Sequence, residues 1–243
     1  MDNVDLAQHI SRQYDQELED VRNRVLTMGG LVEDQIHRAI EALINSDSEL
    51  GESVALDDYK VNEMEVGIDE ECSRILALRH PTASDLRLVV AIIKTITDLE
   101  RIGDEAEKIG FLASRLASKP QMSNRYRDIK HLSRHVGRMV HDSLNTFARL
   151  DADEAFNVAK QDEEVDKDYE SIMRQLITVM MEDPRTIRQV LDVMWVARSL
   201  ERIGDHAKNI CEYVIYLVHG KDIRHTRLRE HDSLAEAEKH MES

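Results

Sequence analysis

Two carboxylates one helical turn apart stand in the stretch LERIGD, Leu99–Asp104, and the same six residues return at Leu200–Asp205. Glu100 and Asp104 in the first copy, and Glu201 and Asp205 in the second, are hard oxygen donors of the kind taken by Mg, Ca, Mn or Fe. An i, i+4 acidic pair alone says little, because such pairs are common on solvated helix faces, where they repel mildly. The face they occupy says more. At about 100° per residue, Val89, Ile93 and Ile96 fall within about 40° of Glu100. Val190, Met194 and Ala197 lead in the same way into Glu201. The carboxylates therefore continue the apolar stripe that each helix must bury.

A second set of oxygen donors lies upstream in each half. Val54, Asp58, Val61, Asn62 and Glu65 share one helix face, as do Val158, Asp162, Val165, Asp166 and Tyr169. If these helices pack antiparallel on those carrying the hexapeptides, Asp58 and Asn62 converge on Glu100 and Asp104. Asp162 and Asp166 converge in the same way on Glu201 and Asp205. Unpaired buried carboxylates must protonate or destabilise the fold, so convergence calls for a cation. The competing reading is a surface lattice of ion pairs, with Arg101 and Arg202 three residues before each Asp and Arg198 and Lys108 adding to it.

The elements that must position these groups are helices. With 9 Gly, 3 Pro and 4% aromatics in 243 residues, turns and strand formers are scarce. The breakers divide the chain into six long helices, expected at 5–45, 48–79, 83–117, 124–150, 152–182 and 186–218. HPTASD and EDPRT each set a Pro just ahead of a helix. A shift of 104 pairs Val32 with Val136, Asp47 with Asp151, Asp58 with Asp162, Asn62 with Asp166 and Ile68 with Ile172. A shift of 101 then pairs Arg87 with Arg188, the hexapeptide with itself and Ile109 with Ile210. One three-helix unit is repeated. The expected fold is all-α: two tandem three-helix bundles, residues 1–119 and 120–220, followed by a polar, mobile tail over 221–243. Gly103 and Gly204, inside helices, are expected to permit close helix approach beside the carboxylates. The two cysteines, Cys72 and Cys211, read as free core thiols.

A formal net charge of −16 disfavours nucleic acid as a partner. No run approaches the 18 or so apolar residues of a membrane span, and the first residues lack an apolar signal region, so direct membrane insertion is not expected. His131 and His135 share a face but read as surface histidines. Glu-x-x-His, the di-iron signature of bundle helices, is absent from the sequence, as are phosphate-binding glycine loops and nucleophile elbows.

The duplicated unit, the two LERIGD motifs and the segments HPTASDLRLV and VMMEDPRTI closely resemble the PhoU family of regulators of phosphate uptake, over about Val4 to Lys221. The resemblance implies a cytoplasmic homodimer, membrane-peripheral through its partners. It implies a negative regulator that is an adaptor between the ATPase subunit of the phosphate ABC transporter and a sensor histidine kinase of a two-component system. It further implies multinuclear iron or other metal ions, Fe, Mn or Mg, held by the Glu/Asp-x-x-x-Asp motif of each bundle, here Glu100 with Asp104 and Glu201 with Asp205. Asn62, where the second half has Asp166, makes the first site the poorer in charge. The expectation is an adaptor, not an enzyme. The alternatives are a metal-dependent hydrolase or phosphatase using the same carboxylates, and a metal-independent helical scaffold. No anion-binding constellation stands out, so direct phosphate sensing is not expected.

Overall fold

The computed structural model describes residues 3–79, 81–119 and 126–220, with the backbone alone described over 3–12. The expected linker between the halves lies mostly, and the expected tail entirely, outside the described residues. Among the described residues there are eight α-helices: α1 (Asn3–Asn45), α2 (Ser48–Asp57), α3 (Tyr59–Arg79), α4 (Ala83–Ala117), α5 (Tyr126–Arg149), α6 (Ala152–Lys160), α7 (Asp162–Glu182) and α8 (Ile187–His219). They make six rods, because α2 runs into α3 and α6 into α7. No strand occurs among the described residues.

The two broken rods depart from the single helices expected at 48–79 and 152–182. Neither break carries a Pro or Gly. In the first, the Asp58 carbonyl accepts from Val61 N–H at 2.9 Å, the tighter 3₁₀ spacing, and from Asn62 N–H at 3.3 Å. In the second, Gln161 N–H donates to the Val158 carbonyl at 3.0 Å. Each break falls beside the inward-facing acid of its rod, Asp58 or Asp162.

The turns ahead of α2 and α6 are copies of one another. Ser46 (φ 55°) and Leu150 (φ 54°) adopt the left-handed conformation. Asp47 N–H then reaches back to the Ala42 carbonyl, and Asp151 N–H to that of Thr146. These are Schellman closures. Asp47 and Asp151 in turn cap the next helix, accepting from Leu50 N–H and Glu154 N–H at 3.0 Å each.

In each half the hexapeptide helix packs on the other two rods, α4 on α1, α2 and α3, and α8 on α5, α6 and α7. Helices α2 and α4 cross so closely that a Cβ on Gly110 would stand 2.8 Å from the Gly51 carbonyl oxygen. The halves meet through α4 against α8 and α1 against α5, and one hydrophobic core runs through both. Cys72 and Cys211 are free and buried in it, and burial pushes the Cys72 thiol up to about 12.

Helices α4 and α8 run antiparallel, joined by buried charge. Asp98 accepts from Tyr213 at 2.7 Å and Asn209 at 3.2 Å, and pairs with His206 Nδ1 at 2.7 Å. Glu105 accepts from Ser199 at 2.8 Å and pairs with Arg202 at 2.5 Å, and Arg115 pairs with Asp192. Under the shift of 101, Asp98 corresponds to Ser199 and Glu105 to His206. The Asp98–His206 and Glu105–Ser199 contacts are therefore one contact repeated about a pseudo-twofold axis.

Candidate metal centre

In the first half, α3 and α4 bring the predicted oxygen donors together. Asp58, at the α2–α3 break, is 5% exposed. Its Oδ1 accepts from Gln35 Nε2 at 2.9 Å and its Oδ2 from Asn62 Nδ2 at 3.0 Å. Both donors are neutral, so its charge is uncompensated by them. Gly103 lets it approach, since a Cβ there would stand 3.1 Å from Asp58 Oδ1. Asp58, Asp104 and Glu107 each place a carboxylate oxygen within 4.8 Å of the others, a spacing compatible with shared ligation of one ion. Glu100 lies one turn before Asp104, on the same face.

Two members of this group were not anticipated. Glu107 completes an i, i+4, i+7 series with Glu100 and Asp104, a spacing that keeps all three on one helix face and could have been read from the sequence. Gln35 comes from α1, and no local pattern announces it. Gln35 is 4% exposed, and its Oε1 is buried with no hydrogen-bond donor among the described residues. It too lies in this crevice, 3.3 Å from where a Gly103 Cβ would be.

The electrostatics follow from this crowding. Burial first, then Asp104, Glu65 and Asp58, pushes the Glu100 carboxyl above its ordinary value. Burial first, then Asp58 and Asp104, does the same to Glu107. Lys108 stands 4.0 Å from Asp104 but 3.1 Å from Glu105, on the side toward α8. An orphaned amide oxygen and a cluster of uncompensated carboxylates fit a hard cation.

The second half assembles its predicted donors differently. Asp162 is 4% exposed, and its Oδ2 accepts from Lys208 Nζ at 2.6 Å. Burial would pull the Lys208 ammonium down, but the Asp162 contact outweighs it and holds Lys208 above the ordinary lysine value. Glu201 accepts from Arg198 at 2.6 Å. Asp205 is partly buried and Asp166 is exposed at the mouth. Burial, ahead of the neighbouring carboxylates, raises Glu201, Asp205 and Asp166. Under the shift of 101, Lys208 corresponds to Glu107 and Arg198 to Thr97, while Gln35 corresponds, under the shift of 104, to Met139. The first crevice is thus the richer in uncompensated charge, opposite to the balance expected from Asn62 and Asp166 alone. Both of those residues are exposed at the crevice mouths. As it stands, the second crevice does not fit a metal ion, because an ammonium already sits on its most buried carboxylate.

His131 and His135 meet a third residue, Asp168 on α7, at 3.4 and 3.5 Å. His135 is buried and not on the surface, contrary to the sequence expectation.

The comparisons with known proteins agree with the duplicated architecture. A family model described as the PhoU domain matches residues 25–113 and again 129–214. The phosphate-specific transport system accessory protein PhoU homolog of Pseudomonas aeruginosa is 52% identical over 228 residues, 93% of this chain and 94% of that protein. The phosphate-specific transport system accessory protein PhoU of Escherichia coli K12 is 51% identical over 234 residues, 96% of this chain and 97% of that protein. The crystal structure of PhoU from Pseudomonas aeruginosa superposes with a TM-score of 0.83, covering 86% of this chain and all of that one. The phosphate transport system regulatory protein PhoU from Streptococcus pneumoniae, at 30% identity, does so with a TM-score of 0.80, over 86% of this chain and 98% of that one. Matched in both of its halves and over nearly its whole length, the chain belongs to the PhoU family.

Proposed function

We propose that this chain is a negative regulator of phosphate uptake, an adaptor that passes phosphate status between the ATPase subunit of a phosphate ABC transporter and a sensor histidine kinase. It does so by binding, without chemistry of its own, as a homodimer in the cytoplasm held to the membrane through its partners. Its family and its near relatives, phosphate-specific transport accessory proteins, support this reading. Among the described residues no helix is long and apolar enough to cross a membrane, consistent with peripheral association.

The observation that carries the reading is the double use of α4. One face carries Glu100, Asp104 and Glu107 into the first crevice. The other carries Asp98, Glu105 and Arg115 into the buried contact with α8. Asp58, Asp104 and Glu107, with Gln35 beside them, would hold a divalent or trivalent ion, Fe, Mn or Mg. Bound there, the ion would supply positive charge that offsets the mutual repulsion of these carboxylates at close quarters. Asp58 then braces α3 against α4, and α4 in turn bears on α8, so the crevice and the joint between the halves share one rigid element.

The test is a reconstituted assay of transporter ATPase and kinase activity with and without the purified protein. Inhibition that saturates at a stoichiometric ratio, and weakens in Asp58→Asn/Asp104→Asn, is expected. Catalytic phosphate release from the kinase or its response regulator at substoichiometric protein would overturn the adaptor reading.

A further inference from the structure

The two crevices are copies, but the second contains two cations that the first lacks. Lys208 stands where the first half has Glu107, and Arg198 where it has Thr97. Both are engaged on crevice carboxylates, Lys208 on Asp162 and Arg198 on Glu201, at 2.6 Å each. The compensation is partial. Asp162 Oδ1 and Glu201 Oε2 are buried and without a hydrogen-bond donor among the described residues. Asp205 and Asp166 add two further carboxylates. Four acids against two cations leave an anionic crevice whose oxygens are still oriented inward.

We propose that the second crevice is a latent metal site, kept free of metal by the Lys208 ammonium acting as a tethered counter-ion. This rests on the first crevice only for comparison. A divalent ion approaching Asp162 must displace an ammonium already at contact distance, and it meets repulsion from that cation wherever it goes. Arg198 on Glu201 reinforces the exclusion. The arrangement gives the second half a fold that does not depend on metal supply, while the first half remains responsive to it. The identity of a single side chain, Glu107 or Lys208, sets which behaviour each copy has. Gly204 leaves the room: a Cβ there would come 3.2 Å from Val165 Cγ1 and 3.8 Å from Asp162 Oδ1.

The experiment is calorimetric titration of the chelator-treated full chain with Mn²⁺ alone. Parent, Lys208→Gln, Lys208→Gln/Arg198→Gln, Glu107→Lys and Asp58→Asn/Asp104→Asn proteins are compared, with thermal unfolding as a second readout. Lys208→Gln is expected to gain one Mn²⁺ per chain over the parent, with affinity at least tenfold above any residual binding at that crevice. Its unfolding temperature should fall in chelator and recover with Mn²⁺. Glu107→Lys is expected to remain folded in chelator and to lose the first-crevice ion.

A parent that binds no Mn²⁺ beside a Lys208→Gln variant that binds one would retire the first-crevice metal reading and leave the latent site standing. Two outcomes overturn the proposal. One is Mn²⁺ persisting in Asp58→Asn/Asp104→Asn with Lys208 intact, and the other is folded Lys208→Gln binding no more than the parent. Should Lys208→Gln fail to fold, unchanged Mn²⁺ binding by Glu107→Lys would overturn it equally.

Discussion

Glu17 and Arg79 form the kind of pair the crevice acids lack, a carboxylate met by a charged, two-pronged donor. Arg79 reaches from α3 to Glu17 on α1 with contacts of 2.9 and 2.6 Å. The Arg79 hydrogen bond, opposed by burial and aided by the guanidinium charge, holds the Glu17 carboxyl below its ordinary value. A lowered carboxylate contributes stability that is complete above its unfolded pKa and disappears as pH falls through the folded one. Arg79→Ala should therefore lower stability slightly at neutral pH, the effect being small because the pair is partly exposed. The difference between parent and variant in urea unfolding should vanish at pH values below the ordinary carboxylate range. A gap that persists there would mean that Arg79 acts through packing. At this scale the sequence disclosed a good deal. Glu100, Asp104, Glu201, Asp205, Asp58 and Asp162 are marked by their place on apolar stripes. Gln35 is not, because its partner Asp58 is 23 residues away on another rod and nothing local requires an amide there.

Elements bring a different kind of constraint, visible where α1 turns into α2 and α5 into α6. Ser46 and Leu150 hold a left-handed backbone that costs an L-residue about 1–2 kcal/mol. Ser46→Gly should relieve part of that and raise stability by about 0.5–1 kcal/mol, once the greater unfolded-state entropy of glycine is set against the gain. Denaturant unfolding checks it, and a loss of stability would show that the Ser46 side chain contributes more than the strain costs. The six rods and their duplication were legible because breakers and a 101–104-residue echo are local, periodic signals. The breaks beside Asp58 and Asp162 were not. They contain no Pro or Gly, and Asp58 and Asp162, weak helix formers, are of a type too common along these helices to mark a break.

On the scale of the whole molecule, the joint between α4 and α8 is where the two copies become one body. Asp98 is 1% exposed and satisfies His206, Asn209 and Tyr213 at once. Asp98→Ala leaves three polar groups of the other half without their acceptor and should cost about 3–5 kcal/mol. Urea unfolding measures this directly, and a cost under about 1 kcal/mol would mean that water replaces the carboxylate at little penalty. None of this joint was readable in advance. Its contacts join residues far apart in the chain, 94 positions for Ser199 with Glu105 and 77 for Arg115 with Asp192, and depend on how two helices dock. Nothing local marks Asp98 and Glu105, interleaved with apolar residues on α4, as acids that face the second copy.

The pseudo-twofold character of that joint carries a consequence for how such chains avoid mispairing. Were two first halves to meet through it, Asp98 of each would face Glu105 of the other, acid against buried acid. Two second halves would set Ser199 against His206, which costs no charge but supplies no carboxylate to the imidazole. Only unlike halves put an acid opposite a donor at both positions. What began as two equal copies has thus become a lock and its key on one polypeptide, with an ionic code that disfavours the pairing of like halves and makes each half the preferred docking partner of the other.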